Sequence, residues 1–501
     1  MDAFWSLLGG FAIALRPENL MFALAGSVIG TAVGVLPGIG PITGIAILLP
    51  LTFKLEPTGA IIMLSAIYYG AMYGGTITGV LLNVPGEGSS AVTAIDGYQM
   101  ARQGRAGAAL AIAALGSFIG GTVATVVLVF AAPALASVAL NFGPPEFFAL
   151  MLLGLILLVS FSGGSPLAGA ISALIGLGLS VPGTDIVEGT PRLTFGVIDL
   201  LDGISFVPVI MGLYGLAEIL VNLERRHIRV ADPEISRAML TRQDVKDSAA
   251  PIARGTLIGI FLGLIPGIGT VLPTVVSYAA EKRLSRHPER FGKGAIEGVA
   301  GPETTNNAYA NGALIPLFTL GVPASPTIAV LLGAFMMNGL TPGPFLFKDK
   351  PDFVWALIAS LYVGNVILLI LNLPLVGLWV RLLKVPYSIL FPLILAFTLV
   401  GSYVARNSLF DLGVLIVFGG IGYIFKKLDF PIAPMAFTLI LGPLTETALR
   451  QSLSMSGGEL AILARGPIST GLLMLAGAAI LLAVLSPAWG YVSARRRAAR
   501  A

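Results

Sequence analysis

The chain contains no cysteine and only two histidines, His227 and His287, both in basic loops. Disulfides, iron–sulfur clusters and thiol chemistry are therefore excluded. A zinc or haem site, which draws on Cys or His ligands, is not expected, and neither is any cofactor. Charge is scarce as well. Asp, Glu, Lys and Arg make up 11% of the 501 residues, against roughly 25% in a soluble domain. The net charge of +4 is small and sits in loops, so nucleic acid is not an expected partner despite a pI near 9.2. The opening MDAFWSLLGGFAIALRPEN lacks the basic start of a secretory signal peptide.

Hydrophobic residues fill the space that charge leaves: they make up 56% of the chain, and mean hydropathy is +0.90. Apolar runs of about 20 residues, the length needed to cross a bilayer, recur from end to end. The expected fold is an all-α polytopic integral membrane protein in a lipid bilayer.

One motif is written twice. GVLPGIGP at 34–41 returns as GLIPGIGT at 263–270, 229 positions later. Each copy sets Pro and two Gly inside a long apolar run. In a membrane, backbone freed from a helix must be buried in protein or line a wet cavity. Two such breaks in corresponding places point to a transporter's binding site. Further matches follow in order at an offset of 238: Gly74 with Gly312, Pro85 with Pro323, Ala91 with Ala329. The expected organisation is a first transmembrane repeat at 1–221, a cytoplasmic linker at 222–250, a second repeat at 251–450, and a final span with a basic tail at 451–501.

Loop charges orient the halves. The basic tail ARRRAAR places the C-terminus in the cytoplasm, and the basic linker joins it there. Strongly basic loops of one half match weakly basic or acidic loops of the other, as inverted-topology repeats require; Arg406 is the one awkward residue. Basic loops flank 251–280 on both sides. About 20 helical residues are needed for one crossing, so this run is expected to enter and return as two half-helices meeting at 266–269. By inversion 19–53 does the same from the other face, with its tip at 37–40. Paired re-entrant hairpins favour an elevator-type movement.

Half-helices that start inside a membrane present unpaired N–H groups and the positive end of a dipole, which favour anions and carboxylates especially. The substrate-binding candidates are Gly38, Gly40, Gly267 and Gly269 at the tips, with the hydroxyls of Thr43, Ser89, Ser90, Thr270, Ser325 and Thr327. For a coupling cation, Asn and Thr oxygens with freed carbonyls are suitable ligands. The candidates are Glu303, Thr304, Thr305, Asn306 and Asn307, with Thr76, Thr78 and Asn83 in the other half; Na⁺ is the only metal ion expected. Glu303 could also carry a proton. The blander readings are a plain kink at PGIG, packing hydroxyls in TITG, a solvated face at 96–105, and tight helix packing at Gly116 and Gly120. GEGSS lacks the GK[ST] ending of a phosphate loop, so an ATPase is not supported.

The chain resembles the large membrane subunit of the tripartite tricarboxylate transporter family. The likeness rests on GVLPGIGP, YYGAMYGGTITGVLLNVPGEGSSAVTAIDGYQMARQGRAGAAL, GLIPGIGT and GPETTNNAYANGALIPLFTLGVPASP, and it covers essentially the whole chain. It implies a secondary transporter of the bacterial inner membrane that imports a small organic carboxylate, a tricarboxylate or dicarboxylate, by symport with Na⁺ or H⁺. It also implies a small membrane subunit and a periplasmic solute-binding protein as partners; a homodimer is a further expected assembly. The alternative is a stand-alone ion-coupled carboxylate antiporter or exporter. A membrane enzyme would need a nucleophile–base pair or metal ligands at membrane depth, and neither Cys nor an intramembrane His is present.

Overall fold

A computed structural model describes residues 2–36, 39–161, 165–185, 188–224, 240–383, 385 and 387–498. Pro37 and Gly38 of the first tip, and 225–239 of the basic linker, lie outside the described residues. The architecture is all-α, with one two-residue strand pair, Gly183–Thr184 against Pro191–Arg192, among the described residues. Eight of the described helices are long and apolar enough to cross a membrane. The chain divides into two compact units. The larger holds Met1–Ala139, Val207–Ile265 and Gly269–Tyr423; the smaller holds Leu140–Phe206, Pro266–Ile268 and Ile424–Ala501. Each unit draws on both sequence halves.

The larger unit is built around the helix Pro57–Leu82, buried at every residue from Gly59 to Leu81. A helix apolar all round has no solvent face to offer and belongs in an interior. Glu56 caps its start, accepting from the N–H groups of Thr58 and Gly59, and Pro57 needs no partner there. Asn83 ends it in the left-handed region, at φ 57°.

Small residues set the packing. Gly26, Gly30 and Gly34 of the helix Pro17–Val35 lie on the backbone of Pro57–Leu82. A Cβ at these positions would come within 2.4, 2.4 and 2.3 Å of the carbonyl oxygens of Met63, Ile67 and Ala71. The second half repeats this crossing. Gly255, Gly259 and Gly263 of Arg242–Gly263 press against Gly301, Thr305 and Gly312 of Glu297–Gly312. The two stripes are 229 positions apart, the offset of the PGIG copies, and four-residue spacing of small residues is how lipid-embedded helices approach closely. Asn83 also has its counterpart 238 positions on: Gly321, at φ 68°, ends Leu314–Leu320 in the same left-handed turn.

Both PGIG runs interrupt helix. In the second half Arg242–Gly263 stops and Val271–Leu284 starts beyond the break. Arg254 donates from Nε to Glu281 Oε1 at 2.8 Å and from Nη2 to Oε2, so the arms run antiparallel. Ten residues from Arg254 to Gly263 make an arm of about 15 Å, half of a hydrocarbon core of about 30 Å. In the first half Pro17–Val35 gives way to Gly40–Leu48, and Gly44 faces the Val33 side chain. That first arm, at 19 residues, is itself long enough to cross a membrane by length and composition, and so exceeds the expected half-helix.

One reading is corrected. The run 96–105 is not simply a solvated face. Asp96 is 0% exposed. Its Oδ1 accepts from the N–H groups of Gly292, Gly294 and Ala295 at 2.8–2.9 Å, and its Oδ2 from Tyr278 Oη at 2.8 Å. The loop after Val271–Leu284 folds back over the helix Ala91–Arg102, which carries Asp96, and three amides solvate the carboxylate in place of water. Nearby, Arg105 donates to Asp244, which closes a capping box with Thr241. Burial works to raise the Asp244 carboxyl, but bonds from Thr241 and Arg105 outweigh it and hold it below its ordinary value. Arg406, the residue that loop charges left unsupported, lies 4.0 Å from Asp411 across a turn.

In the smaller unit, Pro166–Leu179 meets Ala433–Met455 so closely that a Cβ on Gly176 would lie 2.2 Å from the Met435 carbonyl. Arg192 and Arg450 share Asp185 and Glu446 in a four-member ion-pair cluster with N···O distances of 2.6–3.3 Å. Glu446 is thus tied into the unit.

Candidate functional site

The polar residues of the larger unit gather where Glu297–Gly312 meets Pro57–Leu82, Ala106–Ala139 and the break 83–90. Every residue of Glu297–Gly312 after Glu297 is buried. Glu303, Asn307 and Asn311 recur every four positions and so share one face. Asn307 Nδ2 donates to Ser117 Oγ at 2.6 Å, and Asn311 Nδ2 to the Gly121 carbonyl at 3.0 Å. Gly116 and Gly120 let the helices approach: a Cβ there would meet Thr304 at 2.4 and 2.6 Å. That is the packing role their spacing suggested.

Glu303 has two different oxygens. Its Oε2 accepts from Thr76 Oγ1 at 2.7 Å, joining the two sequence halves; its Oε1 has no donor. Asn306 Oδ1, Asn307 Oδ1 and Asn311 Oδ1 are buried without partners too. A buried acceptor left unpaired costs about 1–3 kcal/mol, so four on one helix mark a place suited to a cation or an added donor. A cavity of ≈ 10 Å³, about one water in size, lies among Tyr73, Thr76, Ser117, Glu303 and Asn372. Tyr73 Oη donates to Asn365 Oδ1 at 2.8 Å, and Asn365 in turn donates to the Phe118 carbonyl and Thr122.

The second cluster is in the break after Pro57–Leu82. Gly86 is forced by close approach: a Cβ would lie 1.9 Å from the Gly34 carbonyl. Beside it Glu87 is buried. Its Oε1 accepts from Ser89 Oγ and, at 3.0 Å, from Asn306 Nδ2. Ser90 Oγ donates to the Glu87 carbonyl at 2.9 Å. Neither Glu87 nor Glu303 forms an ion pair with a basic side chain among the described residues.

The expected site residues separate into those that meet and those that do not. Ser89, Ser90 and Asn306 converge on Glu87, and Thr76, Glu303 and Asn307 form the adjoining group. Gly269 N–H and Tyr309 Oη both donate to the Ala324 carbonyl, at 3.2 and 3.0 Å, beside Ser325. Ser325 accepts from Ile328 N–H as a helix cap, and Thr327 is buried as the second residue of that helix, Pro326–Met337. Gly40 and Gly269 are left-handed, at φ 63° and 76°, with open space where a Cβ would point. Thr270 precedes Val271–Leu284 without capping it, and Thr43 Oγ1 turns to the Tyr214 carbonyl at 3.4 Å. Thr78 and Thr304 return their hydroxyl hydrogens to carbonyls one turn back, and Thr305 Oγ1 lies within donating distance of both the Gly301 carbonyl one turn back, at 2.9 Å, and the Gly255 carbonyl on the facing helix, at 3.0 Å. Asn83 serves as a left-handed cap, and Gly267 belongs to the smaller unit, against Gly154 and Leu158. Gly38 is outside the described residues.

Glu87, Tyr73, Ser117, Asn311 and Asn365 were missed from sequence. Glu87 had a signal: it is the only carboxylate between Glu56 and Asp96, in an apolar context where ionisable residues mark function by default. Judging GEGSS only against a phosphate loop hid it.

Comparison with known proteins bears on the whole chain. The sequence pattern of the family described as "Tripartite tricarboxylate transporter TctA family" matches residues 20–437. A protein of Agrobacterium vitis described as "Uncharacterized 52.8 kDa protein in TAR-I ttuC' 3'region" is 49% identical over 486 residues, 97% of each chain. A second from that organism, "Uncharacterized protein in TAR-II ttuC' 3'region", is 46% identical over 227 residues, 45% of this chain and 94% of its own. No solved structure matches.

Proposed function

The chain belongs to the tripartite tricarboxylate transporter TctA family, as a multi-pass membrane transporter subunit, and from that premise we propose that it imports a small organic carboxylate by ion-coupled alternating access. A periplasmic solute-binding protein would deliver the carboxylate, a small membrane subunit would complete the assembly, and the bacterial inner membrane would house it.

One observation carries the reading: the Glu87–Ser89–Ser90–Asn306 cluster beside the Thr76–Glu303–Asn307 cluster, buried in an apolar unit without a basic partner. Hydroxyl and amide donors suit a carboxylate. The unpartnered oxygens of Glu303, Asn306 and Asn307 suit Na⁺ or a proton. The antiparallel arms tied by Arg254 and Glu281 support a re-entrant hairpin, and the paired glycine stripes support duplication. An elevator-type movement is the expected form of alternating access.

Uptake of labelled citrate into proteoliposomes, with and without the binding protein, tests this. Uptake is expected only with the binding protein and an imposed Na⁺ or pH gradient. Equal uptake without that protein would eliminate the tripartite assignment.

A further inference from the structure

Three hydroxyls in the middle of Pro57–Leu82 have nothing to bond. Ser65, Tyr68 and Tyr69 are buried, and among the described residues none of their oxygens has a hydrogen-bond partner. A hydroxyl buried unpaired costs free energy that Phe or Ala of similar shape would not. Packing identifies their counterparts in the second half. Gly26 and Gly30 press on the carbonyls of Met63 and Ile67, as Gly255 and Gly259 press on those of Gly301 and Thr305. Both pairs of carbonyls are 238 positions apart, and at that offset Ser65, Tyr68, Tyr69 and Tyr73 correspond to Glu303, Asn306, Asn307 and Asn311. The second row presents four unpartnered acceptor oxygens. The first presents hydroxyls, three of them unpartnered and the fourth, Tyr73, donating to Asn365. We propose that Ser65, Tyr68 and Tyr69 form a donor row that binds the carboxylate of the substrate, while the matching acceptor row takes the cation.

The chemistry follows from the donor inventory. A hydroxyl donates to an anion, whereas a carboxamide oxygen only accepts, from a donor or as a cation ligand. Each row has the spacing i, i+3, i+4, i+8 and so keeps to one face of its helix. The duplicated helices thus present opposite chemistry at equivalent places. The two rows also adjoin: Thr76, about three turns beyond Ser65, donates to Glu303 Oε2 at 2.7 Å. An anion on one row and a cation on the other attract strongly in an interior of low dielectric, so each tightens the binding of the other. Tyr68 and Tyr69 meet edge to face, with ring centroids 5.8 Å apart. Tyr68 has Ser325 and Tyr309 beside it. Next to Ser325, the Ala324 carbonyl accepts from Gly269 N–H, and Gly269 has open space where a Cβ would point. Glu87, also near Tyr68, turns its Oε1 to Ser89 and Asn306 instead. The row therefore reaches the serine and glycine tips without its hydroxyls being spent on them.

The proposal rests on the carboxylate reading above, and its test separates the two. The purified full chain in lipid nanodiscs is titrated with labelled citrate, succinate and malonate at fixed pH and Na⁺ concentration. The unfolding temperature is read without ligand. Tyr68→Phe and Tyr69→Phe are expected to bind the anion that the wild type binds about tenfold more weakly. Each ligand-free variant should unfold at or above the wild-type temperature, because a buried unpaired hydroxyl is gone. Tyr73→Phe, which gives up a formed bond to Asn365, should instead unfold lower. Unchanged affinity in Tyr68→Phe and Tyr69→Phe overturns the proposal and leaves the carboxylate reading standing. Weaker binding in step with a lowered unfolding temperature also overturns it, since that is the mark of a packing role. Failure of all three probes to bind the wild type overturns both. Should neither Phe variant be recovered from the membrane, infrared difference spectroscopy on the wild type decides: anion binding must shift a tyrosine C–O band, and the absence of a shift overturns the proposal.

Discussion

At the scale of single residues, burial turns small chemical differences into large ones. Thr76 Oγ1 donates to Glu303 Oε2 at 2.7 Å, across the two sequence halves. Thr76→Val is expected to destabilise the chain by about 1–3 kcal/mol, because it leaves a buried acceptor unpaired. A thermal unfolding scan in detergent, set beside Thr304→Val, checks this; Thr304 only returns a bond to its own helix, so its loss should cost less. Gly86→Ala should cost more than an ordinary overpacking change of about 1–3 kcal/mol, because the neighbour at 1.9 Å is backbone and cannot turn aside. Much of the site was legible in the sequence at this scale. TTNN announced itself as polar residues in an apolar run, and Glu303, Asn306 and Asn307 do meet partners from the other half. The threonines were harder to rank. A hydroxyl's value depends on whether its hydrogen goes back one turn or across to another helix, and spacing alone does not say which. Glu87 was missed for the same kind of reason: its partner Asn306 is 219 positions away.

At the scale of elements, the helix breaks were legible because Pro and Gly cannot hide in a long apolar run. Their close packing was less so: the glycine stripes 26/30/34 and 255/259/263 are visible only once the facing backbone is known. Arg254 and Glu281 join the arms of the second hairpin. Arg254→Ala is expected to lower stability by about 1–2 kcal/mol, less than for a fully buried pair, because the guanidinium is 38% exposed. A re-entrant hairpin predicts sidedness. In this cysteine-free chain, Ala253→Cys and Lys282→Cys should both react with an impermeant thiol reagent from the same face of sealed vesicles. Labelling from opposite faces would mean that the segment crosses the membrane. At the start of Arg242–Gly263, the Asp244 carboxyl is held below its ordinary value. A depressed carboxyl contributes stability above its unfolded value and loses it as pH falls through the folded one. The destabilisation caused by Asp244→Asn should therefore be full at neutral pH and fade in strongly acidic solution, as thermal scans across pH would show.

At the scale of the whole molecule, the sequence reads as two halves and the structure divides into two compact units, and these are different divisions. The halves follow from duplication, read along the chain. The units follow from packing, and each takes helices from both halves. Composition was enough to establish the membrane class, since 11% charged residues cannot clothe a water-soluble surface of this size. It could not reveal the interleaving, because which apolar helix faces which is settled by shape, by glycine placement above all, and hydropathy carries no shape. The two buried carboxylates belong to one unit but to different halves, so a site of this kind exists only after the halves have folded together. The central claim is that this joint cluster couples a cation gradient to carboxylate movement. Its most direct test is labelled citrate accumulation in proteoliposomes containing the full three-component assembly, with wild type compared against Glu303→Gln under an imposed Na⁺ or pH gradient. The account predicts uphill accumulation in the wild type that is lost in Glu303→Gln, with downhill exchange surviving. Equal gradient-driven accumulation by both proteins would contradict it.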